Sequence, residues 1–214
     1  MSMKVEMRRL QVDALQPDPV SIEAAAACIR AGGVVGFPTD TLYGLAADPR
    51  NPAGVRKIFA VKQRPPDRPL PLIAGDRDAV ERAAHLSLLA RRLAERAWPG
   101  PLTLLVPAHP GLVPEVHQGT GLVGIRVPDH PVARALAAAA GGLITATSAN
   151  RSGEPPADRP ESLLHLADTG LDLLLDAGPV PGGAPSTVVD VSGDTPVLVR
   201  AGALPWERVL EFLS

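Results

Sequence analysis

Residues 21–45 read SIEAAAACIRAGGVVGFPTDTLYGL, and this one stretch sets the architecture. The alanine-rich part, 21–31, closes on Gly32-Gly33, which predicts a helix ended by a left-handed cap. The apolar run 34–37 that follows predicts a buried strand. From its carboxyl end hangs a polar loop beginning Pro38-Thr39-Asp40-Thr41. Helix, buried strand and polar loop together form the unit of an α/β protein, in which ligands gather outside the carboxyl ends of strands.

The alternation continues outward from there. Asn51-Pro52 supplies an N-cap and a first-turn proline for a helix to about residue 61, with Lys62 and Arg64 at its exit. Strands are predicted at 70–74, 102–106, 122–127, 143–146, 171–175, 187–191 and 197–200. Helices are predicted after Asp76, over 87–97, after His130-Pro131 to Gly141-Gly142, over 160–167 and over 205–212. Residues 178–185 read as a flexible or turn-rich stretch. The pattern predicts one domain over 1–214, an α/β sheet with helices packed on it.

The composition narrows the function. Lys and Arg total 21 against 23 Asp and Glu, a formal charge of −2, so no global positive field advertises nucleic-acid binding and any anion site is local. A single cysteine excludes an internal disulfide framework, and no apolar run approaches the ~20 residues that span a bilayer. Charges scattered through residues 1–10 do not suit a secretory signal, so a reducing cytoplasm and no membrane partner are expected.

Several motifs fail on inspection. Gly119-Thr-Gly121-Leu-Val-Gly124 matches a dinucleotide fingerprint but precedes a strand and opens no helix, so it reads as a turn. There is no GxxxxGK[ST] loop, and the five histidines show no metal-ligand spacing, so no protein-built metal site is expected. Cys28 lies in the alanine-rich helix and reads as a small core residue. Ser148 lacks the glycines of a nucleophile elbow, which leaves a serine-hydrolase reading weak.

Other segments carry chemistry, each with a plainer structural alternative. Pro38 to Leu45 either faces a ligand with its hydroxyls and Tyr43 or is a turn bonding its own backbone. Lys62-Gln63-Arg64, stiffened by Pro65, Pro66 and Pro69, either grips a polyphosphate or is a solvated basic loop. Thr145-Ala-Thr147-Ser148-Ala-Asn150 offers short donors and acceptors at a strand end and could equally be a polar cap. Gly124-Ile-Arg126-Val-Pro, Pro185-Ser186-Thr-Val-Val-Asp190 and Leu198-Val-Arg200-Ala-Gly202 each place an arginine or hydroxyl at a strand end.

In this order, PTDTLYGL, the KQR loop, WPGPLTLLVP, GIRVP, TSAN, PSTVVD and the late RAG resemble the threonylcarbamoyl-AMP synthase (YrdC-like) family over about residues 21–202. The resemblance implies a twisted open mixed β-sheet with flanking helices, in the family's short form. It implies a nucleotidyltransferase that joins L-threonine, bicarbonate and ATP into threonylcarbamoyl-AMP and pyrophosphate, with Mg²⁺ carried by the phosphates. The adenylate would pass to the transferase complex that makes N6-threonylcarbamoyladenosine at position 37 of tRNA.

As in that family, Lys62 and Arg64 would hold the triphosphate and carry catalysis. Thr147, Ser148 and Asn150 would contact the nucleotide or its metal, and Arg200 a phosphate or the ribose. Thr39, Arg126, Thr145 and Ser186 would surround L-threonine, with Tyr43 close by. Two alternatives stand beside it. One is a module that binds double-stranded RNA or tRNA without catalysis; the other is a carbamoyl-transfer domain like that of hydrogenase-maturation proteins. Pro71, inside the expected strand 70–74, is a departure that puts the ladder there in question.

Overall fold

A computed structural model describes residues 7–63 and 68–214. The first strand, β1 (Arg8–Gln11), leads to α1 (Pro19–Arg30), β2 (Val35–Phe37), β3 (Gly44–Ala46), α2 (Pro52–Val61) and β4 (Leu72–Ala74). Next come α3 (Arg77–Ala83), α4 (Leu88–Ala97), β5 (Leu102–Pro107), α5 (Pro114–His117), β6 (Leu122–Arg126) and α6 (Pro131–Ala139). The chain closes with β7 (Leu143–Thr145), β8 (Thr147–Ser148), a 3₁₀ helix (Pro160–Thr169), β9 (Leu173–Asp176), β10 (Thr187–Asp190), β11 (Val197–Arg200) and α7 (Trp206–Glu211).

Local chemistry explains the boundaries. The Asp18 carboxylate accepts from the Ser21 amide with Pro19 in the first turn, so α1 starts two residues before the alanine run. Asn51 accepts from Ala53 and Gly54 at the start of α2, and Ser87 accepts from Ala90 at the start of α4. Gly119 and Gly121 take φ values of +73° and +72° just before β6, so the fingerprint-like string is a turn. Pro71 interrupts nothing: β4 begins one residue later, and the Pro71 carbonyl accepts from the Ala146 amide at 2.8 Å.

The α/β class with flanking helices holds, and the strands divide between two mixed sheets. One runs β1-β9-β2-β3-β8 and the other β11-β10-β5-β6-β4-β7. Each contains parallel and antiparallel pairs, for example β2 parallel to β9 and antiparallel to β3. One core cluster joins α1 to α6 through Ile22, Ala25, Ile29, Ala133, Leu136 and Ala137, and adds Val35 and Phe37 from the five-stranded sheet. Alanines in both helices let their axes approach closely. The larger cluster packs α2 and α4 with Leu102, Leu104, Val123 and Ile125 of the six-stranded sheet.

The two sheets meet at one place that matters for the site. β7 belongs to the six-stranded sheet and β8 to the five-stranded one, with Ala146 alone between them. Fully buried Thr145 fastens this crossing: its hydroxyl accepts from the Ala47 amide at 2.9 Å and donates to the Leu45 carbonyl at 3.3 Å. No helix among the described residues is long and apolar enough to cross a membrane.

Candidate functional site

A cavity of about 540 Å³ opens beside this crossing. Its wall on the five-stranded side is the β2–β3 loop, with Thr39, Thr41 and Tyr43, together with Thr147 and Ser148 of β8. Its opposite wall is the six-stranded sheet, where Thr103 and Leu105 of β5, Gly124 and Arg126 of β6 and Val188 of β10 face it. Ser186, Arg200 and Arg68 complete the polar rim. Of the residues expected to bind ligand, Thr39, Tyr43, Arg126, Thr147, Ser148, Ser186 and Arg200 therefore converge on one space.

The loop from Pro38 to Leu45 bonds its own backbone and lines the cavity with the same residues. The Thr39 hydroxyl donates to the Leu42 carbonyl at 2.7 Å and accepts from the Thr41 and Leu42 amides at 3.2 Å, an ordered turn that also lines the cavity. Tyr43 is a strut: its hydroxyl donates to the Gly178 carbonyl at 2.7 Å and accepts from the Ala177 amide. Burial pushes the phenol up to about 12. Val180 donates to the Asp158 carbonyl and Gly182 to the Thr41 carbonyl, so the turn-rich stretch 178–185 is fastened along its length.

Lys62 caps the end of α2 and turns inward. Its ammonium donates to the Ser148 carbonyl at 2.5 Å, the Asn150 carbonyl at 2.9 Å and Asn150 Oδ1 at 3.0 Å. The Ser148 hydroxyl also donates to Asn150 Oδ1, at 2.6 Å, and Asn150 Nδ2 donates to the Glu154 carbonyl. Lys62 and Asn150 are buried behind Ser148, where they hold the TSAN loop in shape. Thr145 stands behind the wall at the sheet crossing and does not line the cavity. Arg64, with Pro65 and Pro66, lies outside the described residues.

The six-stranded wall carries the charge that faces inward. Arg126 is buried, and its Nη1 donates to both oxygens of Asp40, at 2.8 and 3.1 Å. Burial pulls its guanidinium below the ordinary range, against the opposing pull of Asp40. Arg200, exposed at the rim, is lowered first by partial burial and then by the positive charge of Arg126. Its Nη2 donates to the Ser186 carbonyl at 2.8 Å and to the Ser186 hydroxyl at 3.4 Å. Two guanidiniums thus line one cavity, Arg126 held by Asp40 and Arg200 by Ser186.

Three contributors were not singled out in the sequence. Asp40 aims Arg126, and a carboxylate set among hydroxyls was its signal. Thr103 faces the cavity as the one polar residue in the apolar run 102–106. Gly202 lies so close to the segment before β10 that a Cβ there would sit 2.3 Å from the Pro185 carbonyl oxygen. With the Ala203 amide donating to that same carbonyl, glycine clamps Ser186 against Arg200. Among the described residues no group of three or more His, Cys, Asp or Glu could hold a metal ion. Asp40 is engaged with Arg126, so a cation here would take its ligands mainly from a bound polyphosphate, which suits magnesium.

Comparison with known proteins identifies the family. The model of the Sua5/YciO/YrdC family, described as telomere recombination, matches residues 27–202. The chain is 40% identical to the threonylcarbamoyl-AMP synthase of Bacillus subtilis over 199 residues, covering 92% of this chain and 58% of that protein. It is 40% identical to that of Chromohalobacter salexigens over 177 residues, covering 81% of this chain and 95% of that protein. Among solved structures, P. abyssi Sua5 complexed with L-threonine superposes with a TM-score of 0.89 at 33% identity, over 96% of this chain and 60% of that one. The chain thus spans less than two thirds of the length of the B. subtilis and P. abyssi proteins. A model match over most of the sequence, relatives 40% identical and a shared fold place the chain in the Sua5/YciO/YrdC family.

Proposed function

We propose that the chain is an L-threonylcarbamoyladenylate synthase, a nucleotidyltransferase that makes threonylcarbamoyl-AMP from L-threonine, bicarbonate and ATP. The observation that carries this reading is the meeting of buried Arg126 with Arg200 and the Ser186 and Ser148 hydroxyls on one cavity. Relatives named for this activity and a neighbour complexed with L-threonine support it.

The threonine amine adds to the carbon of bicarbonate with loss of water, giving a carbamate. A carbamate oxygen then attacks the α-phosphorus of ATP, and the bond to the β-phosphate breaks with its electron pair leaving on pyrophosphate. No side-chain nucleophile is required, and the protein's work is positioning and charge neutralisation. Arg126 pairs with the carboxylate or carbamate, while Thr39 and Ser186 flank the amino acid. Arg200 and Arg64 take phosphate oxygens, and Ser148, with Thr147, meets the nucleotide. Thr145 contributes from behind the wall by fixing the crossing. Lys62 orders the TSAN loop and adds positive charge beneath the phosphates. Ser148, oriented by its bond to Asn150, would meet a magnesium ion carried by the phosphates, whose chemistry when bound would be charge neutralisation.

In this reading the chain forms one YrdC-like domain acting in the cytoplasm. Its labile adenylate goes to the transferase complex that modifies adenosine 37 of tRNA. The test is pyrophosphate release from ATP and bicarbonate, with and without L-threonine, in the wild type and Lys62→Ala. Threonine-dependent release that collapses in the variant is the expected result. Absent or threonine-independent release overturns the reading and returns attention to RNA binding, measured by its salt dependence.

A further inference from the structure

Thr103 is the second residue of β5, buried, with its side chain on the cavity. A polar residue in a buried strand costs stability unless its hydroxyl is matched. Its Oγ1 lies 2.8 Å from Ser186 Oγ. Gly124 on the next strand opens space for its methyl group: a Cβ at 124 would come within 3.2 Å of Thr103 Cγ2. The side chain is thereby set, methyl toward β6 and hydroxyl toward Ser186.

Hydrogen counting makes this pair informative. Two hydroxyls carry two hydrogens, and their mutual bond uses one of them. Arg200 only donates, so its contact with Ser186 Oγ consumes a lone pair and no hydrogen. One hydroxyl hydrogen therefore remains without an acceptor among the described residues, at the cavity wall and beside the apolar side chains of Leu105 and Val188. A donor next to an apolar patch matches a small ligand that presents a hydroxyl and a methyl on one carbon.

We propose that Thr103 is a further specificity-determining residue, which together with Ser186 reads the side-chain hydroxyl of the amino-acid substrate. This rests on the synthase reading. L-2-aminobutyrate is the matching probe, since it keeps the carbon skeleton of threonine and lacks the hydroxyl. Calorimetric titration of the whole chain is expected to show L-threonine binding about tenfold more tightly than L-2-aminobutyrate, the worth of one net hydrogen bond near 1.4 kcal/mol.

Thr103→Val keeps the shape and removes the hydroxyl, and should bring threonine down to the level of 2-aminobutyrate while leaving the latter unchanged. Thr103→Ser should restore the gap. Equal weakening of both ligands in Thr103→Val would assign Thr103 a purely structural role and overturn the proposal, as would an unchanged preference for threonine. Wild-type protein that binds threonine without releasing pyrophosphate breaks the synthase reading and leaves the subsite standing; protein that binds no threonine breaks both.

Discussion

Lys62 stands behind the wall of the cavity that the pair Arg126–Arg200 lines, and the two are held by different partners. Lys62 is wrapped by three protein oxygens from the TSAN loop. Arg126 has one carboxylate behind it and a second cation in front, and both guanidiniums are pulled below their ordinary range. The lysine is an internal tether of the TSAN loop. The arginines stand in the cavity wall, one held by Asp40 and the other by Ser186. Family motifs present all three simply as basic residues, and their hydrogen-bond partners separate the loop tether from the cavity lining.

The comparison is broken most directly at Arg126. Arg126→Ala leaves the partly buried Asp40 carboxylate without its partner, and urea unfolding should show a loss of about 3 kcal/mol or more. Adding Asp40→Asn should recover much of that loss without recovering threonine-dependent pyrophosphate release. Lys62→Ala removes the ammonium from two carbonyls and Asn150 Oδ1, of which Asn150 Oδ1 keeps the Ser148 hydroxyl as a donor, and should cost about 1–3 kcal/mol in the same measurement. A loss at Lys62 as large as at Arg126 would erase the distinction.

Tyr43→Phe removes the strut to residues 177 and 178 and should cost about 1 kcal/mol. It also has a pH signature. The folded phenol, raised to about 12, holds its proton longer than the unfolded one near 10, so its stabilisation is complete below about 10. It is lost as pH rises toward 12, and the variant should lack that slope in unfolding free energy. The smallest effect is expected at Arg200→Gln, which lifts a repulsion from Arg126: stability should stay within about 0.5 kcal/mol of wild type while the KM for ATP rises.

Much of the fold was legible because local rules governed it. Asn51-Pro52 and Ser87 marked helix starts that the structure keeps, since caps are decided within a few residues. The short strands β1 and β3 and the helix α5 were not legible: their three or four residues carry too little periodicity, and pairing to distant strands creates them. The division into two sheets depends on such long-range pairing, and nothing in the string 143–148 announces that a strand changes sheet at Ala146.

The site was legible as residue types at strand ends and illegible as roles. Arg126 and Arg200 stand in the cavity wall because β6 and β11 end there, and Ser186 because β10 begins just after it. Thr145 belongs to the same motif as Ser148, yet its hydroxyl is taken by β3 backbone. Hydrogen-bond partners at separations of about a hundred residues decided between those outcomes, and a linear reading has no access to them.

The passage of β7 into β8 through Ala146 works like the spine of a book. The two covers are the sheets, and at this edge they are bound by a single residue, so consecutive Cα atoms about 3.8 Å apart fix how far they can part there. Ser148, two residues past the binding, is thereby kept at short reach of the six-stranded wall, whereas Arg200 reaches the same cavity from β11, at the opposite end of that sheet from β7.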